Sequence, residues 1–159
     1  MRRRLITGSA IIALAFGVPV GATSGHVTTQ QIHRTDHTRE SVLFPPALRT
    51  RFLGNMRGHL ASLSRIEEAM AKGNFDKVAE LAEQQLGMTS MARHGANALA
   101  RYMPMGMRRI GSGMHHAASR LALTAQDASV TSDTRAVLRA LTDVTSRCVA
   151  CHSAYRIAR

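Results

Sequence analysis

Pro45 to Phe75 reads PPALRTRFLGNMRGHLASLSRIEEAMAKGNF. Within it Phe52, Met56, His59, Leu63, Ile66 and Met70 recur at alternating spacings of four and three. That recurrence puts six side chains on one stripe of a helix, five of them apolar and one an imidazole. Pro45-Pro46 can open the helix, because proline is tolerated in a first turn whose N–H groups have no intrahelical acceptor. Gly73-Asn74 can close it and cap the next.

The same grammar repeats downstream. A second helix carries Phe75, Val78, Ala79, Ala82 and Leu86 and stops at Gly87. Residues 88–103 are less regular, and the 88–107 stretch is rich in methionine (Met88, Met91, Met103, Met105, Met107). Pro104 restarts a helix with the stripe Met107, Ile110, Met114, Ala117, Leu121, Thr124 and Ala128. A turn over Ser129–Ser132 leads to Asp133 as N-cap of a last helix carrying Val137, Leu141, Val144, Cys148, Cys151 and Tyr155. Long amphipathic stripes joined by short turns predict an all-α chain, an antiparallel four-helix bundle, over 45–159. No strand-like alternation is read anywhere in it.

Composition agrees. The chain has 159 residues, close to the length of one domain. Hydrophobic residues make up 45%, enough for a core, while aromatics are only 4%, too few for an ordinary β-sandwich or barrel. Two cysteines exclude a disulfide framework. Met1–Ala22 combines Arg2, Arg3 and Arg4 with a short apolar run and a small-residue end at Val20-Gly21-Ala22. It reads as a cleaved export signal, with a periplasmic destination. Residues 23–44 read as a polar leader, in which His33 and His37 are spaced for one helical turn but lack a third ligand. Removing the three signal arginines lowers the formal charge from +11 to +8. So basic a surface favours acidic partners, an acidic redox protein among them. Its cations are scattered and lack interleaved aromatics, which argues against nucleic acid.

The chemistry concentrates in Cys148-Val149-Ala150-Cys151-His152. At about 100° per residue, Cys148, Cys151 and His152 fall near 0°, 300° and 40°, on one helix face. Two thiols so placed can add to the vinyl groups of one haem, and the following imidazole can take its iron. The rivals lack support. A thioredoxin-like pair needs a βαβ setting, a zinc site needs further ligands, and a disulfide within one turn is a poor staple. No acid–base pair or nucleophile motif accompanies the pentad, so the chain reads as a carrier and not an enzyme.

The run Cys-Val-Ala-Cys-His-Ser-Ala-Tyr-Arg near the C-terminus, an export signal and the Lys72-Gly73-Asn74-Phe75-Asp76 turn resemble class II c-type cytochromes. These are cytochrome c-prime and its low-spin, Met-ligated relatives, and the likeness spans roughly residues 48–157. The resemblance implies one covalent haem c between the first and last helices, with His152 as proximal ligand and Arg156 beside the proximal face. It implies a sixth iron position that is open or filled by a first-helix methionine, here Met56. Counting back from Lys72-Gly73, the family's methionine falls at Arg57, so the match to Met56 needs a one-residue gap. His59, one turn on, is an alternative ligand or a hydrogen-bonded core histidine.

Two further features stand apart. Met91-x-x-His94 and Met114-His115 have soft-ligand character suited to copper(I), although core methionines and surface histidines explain them as well. Gly54, Gly58 and Ala61 make a small-residue strip on the first helix, a candidate homodimer face such as the family often has.

Overall fold

A computed structural model of the chain describes residues 38–158. Its elements are β1 (Glu40–Val42), α1 (Pro46–Ala71), α2 (Phe75–Leu81), α3 (Ala96–Ala100), α4 (Met105–Thr131), α5 (Thr134–Ala154) and β2 (Tyr155–Ile157). The fold is predominantly helical, as the stripes predict. The export signal, His33 and His37 lie outside the described residues. Among the described residues no helix is long and apolar enough to cross a membrane.

The helix ends follow from local chemistry. Gly73 adopts φ +66° after α1. The Gly73 and Asn74 amides then donate back to the carbonyls of Met70 and Ala69, each at 2.9 Å, closing the last turn in a Schellman arrangement. Asn74 caps α2 by accepting from the Lys77 amide at 3.0 Å. Asp133 does the same for α5, accepting from Ala136 at 3.0 Å. Proline opens α1 and α4 as expected.

The second helix differs from its expected form. It is α-helical only to Leu81, and Ala82–Leu86 widens into a π turn. The Gly87 amide there is shared between the carbonyls of Ala82 (2.7 Å) and Glu83 (3.1 Å). Met88–Ser90 then makes a single 3-10 turn, and α3 is a five-residue helix. There are thus five α-helices where the stripes predict four, because the methionine-rich stretch contributes a short one of its own.

Two expectations fail at the chain ends. The polar leader expected over 23–44 ends sooner, because residues 40–44 belong to the folded body. Glu40, Ser41 and Val42 pair in parallel with Tyr155, Arg156 and Ile157. Tyr155 accordingly leaves the last helix, which stops at Ala154. The physical reason is a short alternation: Val42 and Phe44 point inward and are buried, while Leu43 between them is exposed. Phe44 stacks on Phe52 of α1 with ring centroids 5.0 Å apart. The Arg49 side chain donates to the Ala158 carbonyl at 3.0 Å and ties the tail to α1.

Packing divides the interior in two. α4 lies along α5 and against α2, while α1 makes its close approaches to α2, the π turn and α3. The larger apolar cluster includes Ile66, Val78, Leu86, Leu121, Val137 and Val144, all essentially without exposure. Alanines 117, 118, 122, 125 and 128 line the buried side of α4 and allow close helix approach. The smaller cluster gathers Val42, Phe44, Phe52, Leu99 and Met107, with Met56, Met103, Cys151 and Tyr155 packed on it.

Leu121 has no exposure, so Leu121→Ala leaves a cavity and costs about 2–5 kcal/mol. Leu123, two residues on and exposed, serves as the control, with Leu123→Ala staying within about 0.5 kcal/mol. Urea unfolding of both variants checks the contrast.

Candidate functional site

A cavity of about 520 Å³ opens between α1, α3, α4 and α5. That is within the size range of small-molecule and cofactor sites, roughly 300–1,000 Å³. Its wall draws on both apolar clusters. Phe52, Met56, Leu99, Met103 and Met107 come from the smaller one, and Leu63, Met114 and Cys148 from the larger.

Four of the sequence-predicted residues meet at this cavity: Met56, Cys148, Cys151 and His152. The two cysteines are free thiols, each half-buried. The Cys148 thiol points back at the Val144 carbonyl, 3.6 Å away. Burial raises both thiols above their ordinary range, and Cys148 adds to the effect on Cys151. They are therefore protonated at neutral pH and poor nucleophiles on their own. His152 is exposed, and its backbone carbonyl accepts from the Arg39 side chain at 3.3 Å. Met56 is half-buried, one turn before His59 on α1.

Arg156 falls elsewhere. It sits in β2 opposite Ser41 and does not line the cavity. Its Nε is buried and meets no hydrogen-bond partner among the described residues. Arg57, Arg108 and Arg147 line the cavity instead, and all three are exposed, which gives its mouth a positive rim. Sequence reasoning missed these three, since scattered arginines carry no spacing signal.

The donor set suits a haem. Two thiols on one helix face open into a largely apolar cavity, an imidazole follows them in sequence, and a thioether from α1 lines the same cavity. Cations at the mouth match the carboxylates that a haem carries.

At the same cavity the structure brings together three histidines that the sequence leaves apart. His59 comes from α1, His94 from the loop before α3, and His115 from α4. His59 Nε2 and His94 Nδ1 are 3.4 Å apart. Ring centroids are 4.8 Å apart for His59–His94 and 5.7 Å for each of the other two pairs. His115 corrects an expectation: read as a surface histidine, it is buried. Its Nδ1 lies 2.6 Å from the Leu86 carbonyl and must donate to it, since a carbonyl only accepts. That carbonyl sits at the end of the π turn, where helix carbonyls lack intrahelical donors. His94 is set by its backbone, whose carbonyl accepts from the Asn55 side chain at 2.9 Å. Arg51 donates to the neighbouring Arg93 carbonyl at 3.1 Å. Gly95 follows at φ +69°, and a Cβ there would collide with the Arg51 guanidinium, so the loop takes glycine.

Burial lowers the basicity of all three rings. His59 is pushed down to about 4, chiefly by burial, with His94 and His115 adding to it. His94 is lowered by burial, then by His115 and by Arg93 and Arg51. His115 is lowered by burial against the opposing pull of its backbone acceptors. The rings are neutral at pH 7 and keep lone pairs to offer.

No family model, curated protein or solved structure matches this chain.

The His59 shift has a definite sign. Its folded value lies below the ordinary 6.5, so the unfolded chain takes up its proton first. The contribution to stability is whole above 6.5 and is lost as the pH falls toward about 4. Urea midpoints should drop between about pH 7.5 and about pH 5, and His59→Leu should shrink that drop. An equal drop in the variant would assign it to other groups.

Proposed function

We propose that the chain is an exported monohaem c-type cytochrome of the class II kind, acting in electron transfer. One observation carries this reading: Cys148 and Cys151, spaced for thioether attachment, open into the same apolar cavity as Met56, with His152 beside them. In this reading the two thiols hold haem c, His152 is the proximal iron ligand and Met56 the sixth. The family resemblance would set Arg156 beside the proximal face, but Arg156 sits in β2 opposite Ser41 and does not line the cavity. Bound haem supplies one-electron iron chemistry.

What the chain itself contributes is environment. Phe52, Leu99, Met103 and Met107 exclude water, which lowers the local dielectric and biases the iron potential. A thioether from Met56 favours reduced iron, whereas an imidazole from His59 would favour oxidised iron. Arg57, Arg108 and Arg147 offer charge-assisted donors to carboxylates at the mouth. The basic surface speeds encounter with an acidic redox partner, an effect that salt weakens. The same proposal takes α1, the α2–π segment, α4 and α5 as the four members of an antiparallel bundle. It assigns the chain to the periplasm after removal of Met1–Ala22, and a carrier role instead of an enzymatic one. The strip of Gly54, Gly58 and Ala61 is taken as a homodimer face, because Gly58 and Ala61 are exposed. Sedimentation at several concentrations tests it, and a monomer throughout removes it.

A second reading rests on the same cavity. Met56 lines it, and a sixth iron position left open there would take a small gas such as nitric oxide.

Expression with haem-attachment machinery tests the core of the proposal. The wild type should gain the mass of one haem, and the Cys148→Ala/Cys151→Ala double variant should not. A mass equal to the bare polypeptide in the wild type overturns it. Visible spectra then separate the two readings. Low-spin iron that turns high-spin in Met56→Ala supports electron transfer through Met56. High-spin, five-coordinate iron in the wild type supports gas binding.

A further inference from the structure

We propose that His59, His94 and His115, in the wall of the cavity, form a copper(I) site that does not use the cysteine pair. A ring nitrogen of each lies within 4.8 Å of one in each of the others. For three imidazoles on one tetrahedral metal, nitrogens about 2.05 Å from the ion stand about 3.3 Å from one another, with ring centroids roughly 5 Å apart. The His59–His94 nitrogens already show 3.4 Å. The centroid separations of 4.8, 5.7 and 5.7 Å bracket the expected value. The rings are tilted or edge-on to one another and not stacked, as rings converging on a point must be.

The surrounding hydrogen bonds match a ligand set. A metal-binding imidazole commonly donates its other N–H to a carbonyl, which fixes tautomer and orientation. His115 does this through Nδ1 to Leu86, leaving Nε2 with the free lone pair. The Asn55 bond to the His94 carbonyl holds the loop ligand over α1. Three elements distant in sequence thus converge on one point.

Charge and softness choose the metal. The group contains no carboxylate, and the charges of Arg51 and Arg93 act on His94. A second positive charge is therefore more costly here than a single one, which favours a monovalent ion over zinc(II). The thioethers of Met91 and Met114 line the same cavity, and soft sulfur with imidazole suits copper(I). The inference does not rest on haem, since the three rings converge in the chain by itself.

Anaerobic titration of copper(I) against the chromophoric chelator bicinchoninate, using the purified full chain as matured, tests it. One equivalent should be drawn from the chelator. His94→Ala should weaken binding about tenfold or more, and His115→Gln and His59→Ala likewise. His116→Ala, on the exposed side of α4, and a His33→Ala/His37→Ala variant should bind as wild type. His94 is half-exposed on a loop, so its variant keeps the test decisive if the buried-ring variants fail to fold. Failure to compete with the chelator, or loss only with His33 and His37, overturns the site. Tight zinc(II) binding through the same three residues, without copper(I), overturns the choice of metal. Covalent haem is read separately by mass, so either proposal can fail while the other stands.

Discussion

The separation of α1 from the α4–α5 pair is the constraint on which the functional reading depends. Small alanines on α4 let α5 come close, and the shared apolar cluster that results is dense. On the other side, α1 is turned toward α2, the π turn and α3. The room left over is not a packing fault. Its wall is mostly apolar, it collects the chain's cysteines, and three histidines converge at it.

Several contacts hold α1 in place across that gap, and each uses a different kind of force. Hydrophobic stacking of Phe44 on Phe52 joins the N-terminal strand to the helix. Backbone pairing of β1 with β2 then joins the same strand to the end of α5, immediately after the cysteine pentad. Side-chain bonds from Arg51 and Asn55 fix the loop before α3. The cysteine face of α5 and the Met56–His59 face of α1 thereby both line one cavity. This is how a modest sheet of two short strands matters to the site: it sets where the C-terminal helix ends.

The π turn has a comparable role at the other end. The helix widened after Leu81 ends with the Leu86 carbonyl against His115, and that carbonyl accepts the N–H of the buried imidazole. That bond satisfies a buried polar group and fixes the orientation of the ring. Methionines 91, 103, 107 and 114 meet as flexible lining of the cavity.

The sequence by itself determined the helical class, the caps at Asn74 and Asp133, the proline starts of α1 and α4, and the common face of Cys148, Cys151 and His152. These depend on neighbours within a turn or two, where spacing and backbone sterics suffice. The strand pair, the early end of α5 at Ala154 and the burial of His115 were settled only by tertiary structure. The inward alternation of Val42 and Phe44 spans too few residues to stand out from a polar leader. The meeting of His59, His94 and His115 left no periodic trace at all. Each ring sits on a different element, and only the packing of those elements brings the nitrogens together.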